Sequence, residues 1–209
     1  MFFRRTTTFI MALMLVIGCA ACGDDENGAE GDNGSDWQTD AFAIGDAGPA
    51  GGTIFYVDET DAHEWSFLEL APEQTQWTNK PWGPISEDEI GADAQGEDIG
   101  DGASNTAAIV AAYGEEIDGI DDYAAKLADE LVHEHDGEVF DDWFLPSLQE
   151  VIALFDELQS QDLGDLSESV HWSSTEDHDS NARMLDLRTG NGASGDKTTS
   201  NRVRAIRAF

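Results

Sequence analysis

Apolar residues recur with a helical period in three stretches of this chain. In "SNTAAIVAAYG", residues 104–114, a polar start, an alanine-rich interior and a final glycine predict a helix. In "GIDDYAAKLADELV", residues 119–132, an apolar face lies opposite a row of acids, which predicts a second helix. That apolar face comprises Ile120, Tyr123, Ala124, Leu127 and Leu131.

The third helix is predicted to begin at Ser147. The Ser147 hydroxyl can cap the first turn, and Glu150, three residues on, can reach back to complete a capping box. We expect the apolar stripe that follows to be buried. It consists of Leu148, Val151, Ile152, Phe155 and Leu158.

Shorter apolar runs predict strands on both sides of these helices. "GGTIFYVDE" predicts a strand over Thr53–Val57, and "WSFLELAP" predicts a second one that Pro72 closes. Residues 77–104 are predicted to form a long loop, which Trp77 and Trp82 anchor to the core. After the third helix the pattern is β-like to the end of the chain, in "SVHWSST", "NARMLDLRTGNGASGDK" and "NRVRAIRAF".

The stretch "DDWFLPSLQEV", residues 141–151, concentrates large apolar groups in an acidic chain. It is either the corner of a scaffold or a platform on which a ligand stacks. Pro146 disfavours the helical region for Leu145, and Ser147 then starts the helix. This order favours the scaffold corner, with Trp143 in the interior.

The beginning of the chain is typical of an export signal. Arg4 and Arg5 precede an apolar run that is shorter than the roughly 20 residues a membrane span needs. The run ends in "VIGC", which resembles a bacterial lipobox and predicts a signal peptide over residues 1–18 with lipidation of Cys19. Cleavage near Ala21, as in an ordinary secretory signal, is the alternative.

Residues 19–41 are predicted to form an acidic, disordered tether ahead of a domain over residues 42–209. The segment "GDDENGAEGDNGSD" has no large apolar group, so it cannot bury enough surface to fold. Both cysteines, Cys19 and Cys22, lie near the anchor, so we expect no disulfide in the domain. Ala20 is not the aspartate that tends to retain lipoproteins at the inner membrane, which favours the outer membrane of a Gram-negative bacterium.

The composition restricts the partners. The chain has 209 residues and 40% hydrophobic content, enough for a core, and 44 acidic residues oppose 10 basic ones. Such a surface repels nucleic acid. It favours a salty environment that screens the charge, or, as an alternative, specific calcium binding.

Most basic residues lie at the end of the chain. They either pair with the surplus carboxylates and pin the terminal strands, or form a patch that accepts a carboxylated or sulfated sugar. For the patch, the candidates are Arg183, Arg188 and Lys197. Six basic residues follow position 182: Arg183, Arg188, Lys197, Arg202, Arg204 and Arg207.

Two other groups of side chains carry possible chemistry. The "STEDHDSNAR" stretch offers oxygen ligands for Ca²⁺, or it is simply a solvated acidic loop. The calcium candidates are Glu176, Asp177, Asp179 and Asn181. His133 and His135 would point apart on a helix and the same way on a strand. We expect an exposed helix end there and no zinc site, and we expect His171 to be a semi-buried histidine with its hydrogen bonds satisfied.

Six motifs, taken in order, resemble the C-terminal domain family of the Legionella collagen-like adhesin (Lcl), over about residues 44–209. They are "GPAGGTIFYVDE", "NTAAIVAAYG", "YAAKLADE", "DDWFLPSLQEV", "HWSST" and "VRAIRAF". The resemblance implies an α+β fold, a single C-type-lectin-like or formylglycine-generating-enzyme-like domain whose first and last strands pair. Thr53–Val57 would then lie beside Val203–Ala208.

The resemblance also implies adhesion through glycan binding, although several positions depart from the family. Ala128 and Ala205 stand where members often have cysteines, and Arg183 replaces an aromatic residue. The chain contains no nucleophile elbow, P-loop or zinc-protease motif. We therefore expect a lipid-anchored, non-enzymatic envelope protein that needs no cofactor and binds a glycan or another envelope component. A structural envelope lipoprotein without a soluble ligand is the alternative.

Overall fold

The computed structural model describes residues 42–84, 89–115, 119–166 and 168–209. The predicted signal peptide (1–18) and tether (19–41), with Cys19, lie outside the described residues. No helix in the described part of the chain is long and apolar enough to cross a bilayer.

The domain is a mixed α+β structure in which strands outnumber helices. The helices are α1 (Asp101–Tyr113), α2 (Ala124–Asp129) and α3 (Leu148–Glu157). The strands are β1 (Thr53–Val57), β2 (Phe67–Leu70), β3 (Trp77–Lys80), β4 (His133–His135), β5 (Glu138–Phe140), β6 (Val170–His178), β7 (Asn181–Asp186), β8 (Asn191–Asp196), β9 (Asn201–Val203) and β10 (Ile206–Ala208). The short 3₁₀ turns are Glu73–Thr75, Ala92–Ala94 and Gln159–Gln161.

A three-stranded antiparallel sheet has the order β1-β2-β10. The expected direct pairing of the first and last strands is therefore wrong, because β2 lies between them. Leu70 of β2 pairs with Thr53 on one side and with Ile206 on the other. All four residues of β2 are buried, as expected of a central strand. β2 follows β1 after a short connection, and strands that follow one another in the chain commonly pair directly.

The second sheet has five strands in the order β3-β9-β6-β7-β8. β6, β7 and β8 form an antiparallel meander. β9 inserts between β3 and β6, antiparallel to the former and parallel to the latter. The chain thus returns from the meander to the centre of the sheet, and β9 carries Arg202 there.

The "DDWFLP" stretch is the corner of a scaffold, as predicted. Trp143 is only 3% exposed, and its indole N–H donates to the Phe140 carbonyl at 3.1 Å. The backbones of Phe144 and Ile206 exchange hydrogen bonds of 2.8 and 2.9 Å, which ties the corner to β10. The capping box of Ser147 and Glu150 is present at the start of α3.

The second predicted helix is wrong over much of its length. α2 ends at Asp129, and the chain then turns into a hairpin of β4 and β5. Asp136 and Gly137 connect the two strands with φ angles of 51° and 85°. Because two left-handed residues in a row favour a two-residue hairpin turn, this turn overrides the helical pattern. The predicted long loop also contains β3 and the first turn of α1.

Two basic side chains fasten the last strand to the core. Arg207 forms a fork of two 2.8 Å hydrogen bonds with Asp142 and a third of 3.2 Å with the buried Glu69. Arg204 is 3% exposed, and its Nε–H donates to the Ala71 carbonyl at 2.8 Å. The predicted pairing of terminal arginines with carboxylates is confirmed for Arg207, whereas the hydrogen-bond partners of Arg204 are backbone carbonyls.

The two ends of the described domain meet. The Phe42 and Phe209 rings pack edge to face with centroids 5.8 Å apart, and both contact the Phe67 ring. The Phe209 carbonyl accepts hydrogen bonds from the backbone of Ser66 and Phe67. The last residue is therefore part of the packed domain.

Candidate functional site

A polar cleft of about 440 Å³ opens at one end of the five-stranded sheet. β3 and β9 are neighbours there, and the start of β6 and the end of β7 complete the walls. Hydroxyl and amide side chains dominate, with two arginines and one acid. The lining residues are Thr78, Asn79, Glu168, Ser169, Val170, Arg188, Ser200, Asn201 and Arg202.

Arg202 reaches this cleft because β9 is threaded between β3 and β6. It stands opposite His171 in the parallel pairing with β6. Among the described residues, no carboxylate lies within 4 Å of its guanidinium, which sets it apart in a chain with 44 acidic residues. An arginine without a carboxylate partner can accept an anion in a forked geometry.

Arg188, the second arginine of the cleft, is already engaged. Its Nε and Nη2 donate to the two Asp186 carboxylate oxygens at 2.8 and 2.6 Å. These hydrogen bonds from Arg188 lower the pKa of Asp186 to about 2. The charge of Arg188 is therefore neutralised by Asp186. Glu168 is the remaining charged residue of the cleft lining, and its charge is opposite to that of Arg202.

The structure does not assemble the three-residue patch of Arg183, Arg188 and Lys197. Lys197 is fully buried, with its Nζ 2.7 Å from the Glu176 carboxylate. Arg183 lies outside the cleft, with Glu97 at 3.6 Å and Asp177 at 3.9 Å. Only Arg188 lines the cleft, so the prediction of this patch needs correction. Lys197 is interior because β8 returns the chain to Ser180, whose carbonyl accepts from the Lys197 backbone.

The four calcium candidates are not brought together either. Glu176 points inward, where it accepts hydrogen bonds from Lys197 and from the backbone of Ile90 and Gly91. Asp177 accepts from Ser194 at the exposed surface. In the described ranges, no three His, Cys, Asp or Glu side chains group as metal ligands.

The two remaining calcium candidates serve the turn between β6 and β7. Asp179 accepts from the backbone and hydroxyl of Ser180, and those hydrogen bonds lower the pKa of the Asp179 carboxyl. The Asn181 amide donates to Ser194 at 3.2 Å. The oxygen-rich stretch is thus a hairpin whose polar groups satisfy one another.

The histidines differ from expectation in part. His133 and His135 lie on strand β4, so the expected helix end is wrong. His171 is only 3% exposed, where a semi-buried histidine with satisfied hydrogen bonds was expected, and its Nδ1 is 3.1 Å from the Ser169 carbonyl. Its Nε2 has no hydrogen-bond partner in the described structure. Burial, with the nearby charges of Arg202 and Arg204, lowers the pKa of His171 to about 4.

A second depression is apolar and has a different character. It has a volume of about 600 Å³ and lies between β1 and α3. Phe55, Ile99 and Ile152 are among the apolar groups that line it, and Glu59 and Asp156 are among its acids. A surface of this kind suits an apolar or cationic group, whereas the polar cleft suits a hydroxylated or anionic one.

Comparison with known proteins yields a likeness of fold. No protein-family model matches this chain, and no curated protein matches it. Among solved structures, the chain is similar to a fimbrial protein from Bacteroides ovatus. The TM-score is 0.50 at 15% sequence identity, and the alignment covers 76% of this chain and 44% of that protein. The chain thus spans less than half of that protein's length.

Arg202 is the site residue that sequence reasoning did not single out. It was one of six basic residues near the end of the chain, and its local pattern does not differ from that of Arg204 or Arg207. Arg202 differs from Arg207 because of the order of the strands in the sheets. Arg202 on β9 lines the cleft, whereas Arg207 on β10 is buried. Alternation within "NRVRAIRAF" predicts a strand but not which residues find carboxylates.

Proposed function

We propose that this chain is a lipid-anchored, non-catalytic binding protein of the bacterial cell envelope. The polar cleft holds an acidic glycan or another anionic envelope polymer, with Arg202 as the anchoring cation. The chemistry of the ligand is a carboxylate or sulfate on a polyhydroxylated scaffold. The guanidinium takes the anion, and the surrounding amides and hydroxyls take the hydroxyl groups.

The observation that carries this proposal is the contrast between Arg202 and its neighbours. Each of the other five terminal basic residues has a carboxylate or carbonyl within 4 Å. A partly exposed cation left without a carboxylate in a strongly acidic protein favours an anion from outside. Because Glu168 also lines the cleft, we expect selective rather than tight binding of a single anionic group.

The order of six motifs supports placing the domain with the Lcl C-terminal family and its lectin-like fold. β10 returns to the sheet that contains β1, although β2 separates them. The fimbrial neighbour supports a protein of the cell surface that takes part in adhesion. It also favours the second candidate, a structural envelope protein without a soluble ligand.

The ligand proposal is tested on a glycan array with the full chain, in calcium and in chelator. We expect binding to carboxylated or sulfated sugars, with at least a tenfold loss for Arg202→Ala. Arg183→Ala is the matched control, because it removes a terminal arginine outside the cleft. Equal binding by Arg202→Ala and the wild type would refute the cleft. No binding in either condition would favour the structural role.

The anchor at Cys19, on the outer membrane, is tested separately by labelling cells with a radioactive fatty acid. We expect label on the wild type and none on Cys19→Ala, while Cys22→Ala keeps it. Membrane fractionation of the same cells should place the labelled protein in the outer membrane. Label on the Cys19→Ala protein would show that the anchor is elsewhere.

A further inference from the structure

The hairpin turn at Asp136 and Gly137 places His133 and His135 on a strand instead of a helix. Because β4 is a strand, His133 and His135 are two residues apart and project from the same face of the hairpin. Their ring centroids are 6.5 Å apart, and the ring planes differ by only 19°. On a helix the same two side chains would have pointed apart.

Both rings are accessible. His133 is partly exposed, and 41% of the His135 side chain is exposed. No hydrogen bond joins either ring to another residue in the described part of the chain, and the nearest charged group to His135 Nε2 is Asp136 at 3.7 Å. The His135 ring occupies the space above Gly51, where any side chain would collide with it. Gly51 therefore helps to orient the ring.

The distance between the two ring centroids is close to that of two imidazoles bound to one metal ion. Two imidazoles on one tetrahedral ion place their centroids roughly 5 Å apart, given metal–nitrogen distances of about 2.0–2.1 Å. The observed 6.5 Å therefore has to shrink by roughly 1–1.5 Å. Rotation about the side-chain bonds of two partly exposed residues supplies such a movement without changing the backbone.

The acidic charge of the hairpin attracts cations in general, and the type of its ligand atoms determines which metal ion it prefers. Glu134, Asp136, Glu138 and Asp141 are close to the two histidines in the sequence, and the chain has no lysine or arginine between Lys126 and Arg183. Carboxylates alone would favour calcium or magnesium, whereas paired imidazoles favour copper, nickel and zinc. The two rings thus distinguish this place from the rest of the acidic surface.

We propose that the β4–β5 hairpin binds a divalent transition-metal ion through His133 and His135, with water completing the coordination. Cu²⁺ binds most tightly, in line with the usual order of affinities for nitrogen ligands. The site uses two protein nitrogens, consistent with the lack of any three-residue ligand group in the described ranges. It is independent of the polar cleft, so either proposal can fail alone.

The test is a Cu²⁺ titration of the full chain in detergent, without a polyhistidine tag and with Cys19 and Cys22 replaced by serine. Excess Mg²⁺ is present to occupy the carboxylates. We expect one equivalent of Cu²⁺ in calorimetry and two nitrogen ligands in the electron paramagnetic resonance spectrum. His133→Ala and His135→Gln should each weaken binding at least tenfold.

Two matched variants serve as controls. His178→Ala removes an exposed histidine elsewhere. Glu134→Gln removes the acid that lies between the two histidines in the sequence and projects from the opposite face of the strand. Both should bind Cu²⁺ within about twofold of the parent. Melting temperatures of all variants should agree, which shows that the hairpin is folded. A parent-like equivalent of Cu²⁺ bound by the His133→Ala, His135→Gln double variant would overturn the proposal.

Discussion

The Nζ of Lys197 lies 2.7 Å from Oε1 of Glu176, and both side chains are fully buried. Lys197 also donates to the Asp179 carbonyl at 2.8 Å and lies 4.9 Å from the centre of the Trp82 ring. Glu176 accepts two further backbone hydrogen bonds, one of them from Gly91. The charged pair therefore joins β6 to the residue that follows β8 in the interior of the domain, and Glu176 also ties the loop before α1 to β6.

Removing one partner of this pair should be costly. We expect Lys197→Met to lower the free energy of unfolding by about 3–5 kcal/mol, because it leaves the Glu176 carboxylate buried without its counter-charge. The Lys197→Met, Glu176→Gln double variant should lose less than the sum of the single changes. Urea unfolding measures each value.

Lys80→Met is the matched control, since Lys80 pairs with the largely exposed Asp122. It should change the free energy of unfolding by less than about 1 kcal/mol. If Lys80→Met and Lys197→Met lowered the free energy of unfolding equally, the cost could not be attributed to burial of the Lys197–Glu176 pair.

Trp143 should matter for stability and not for binding. We expect Trp143→Ala to cost about 3–5 kcal/mol, as for other buried aromatic side chains. Glycan and Cu²⁺ affinities, measured at a temperature where the variant is folded, should match those of the wild type. Val139→Ala is the control, because Val139 is 61% exposed and its loss should change stability by no more than about 0.5 kcal/mol. Lost glycan affinity in folded Trp143→Ala would restore the stacking-platform interpretation.

Glu150 should make the domain less stable as the pH rises. Burial raises the pKa of Glu150 to about 7 from 4.5, against the opposing effect of hydrogen bonds from Ser147 and Gly100. Between these values the folded state holds a proton that the unfolded state releases. Stability therefore falls as the pH rises from 4.5 to about 7, by roughly 3 kcal/mol from this group.

The measurement for Glu150 is the urea midpoint of wild type and Glu150→Gln over this pH range. The difference between the two proteins removes the pH dependence of all other groups. Glu157→Gln, at the end of the same helix, controls for the loss of one acid. A pH slope in Glu150→Gln equal to that of the wild type would disprove the assignment.

Salt should stabilise the domain. With a formal net charge of −34, self-repulsion opposes the compact state, and salt screens it. Raising NaCl from about 0.1 M to about 1 M, where the screening length falls from about 10 to 3 Å, should raise the melting temperature by several degrees. KCl should act equally. A rise produced by low millimolar Ca²⁺ alone, and reversed by chelator, would point to specific calcium binding instead.

Elements with a strong local signal could be predicted from the sequence. β1 spans the predicted Thr53–Val57, and Ser147 and Glu150 form the predicted capping box, because both depend on neighbouring residues. The β4–β5 hairpin had a local signal as well, in Asp136–Gly137, but the apolar spacing before it resembled a helix. Turn chemistry was the stronger determinant there.

Features that depend on distant parts of the chain could not be predicted. The central place of β2 depends on its pairing with β10 far along the sequence. Whether a basic residue is buried, paired or open depends on strand order, so the sequence did not show that Lys197 would be buried or that Arg202 would line a cleft. The local alternation of apolar and polar residues does not show which carboxylate a basic side chain will pair with.

The contact between Phe42 and Phe209 makes the domain suited to circular permutation. A short glycine-rich peptide could bridge the two ends, since their rings already touch. New ends could then be opened at the exposed Asp136–Gly137 turn, because β4 and β5 form a separate two-stranded sheet. Such a rearranged chain would present its attachment point on a different side while keeping the same interior.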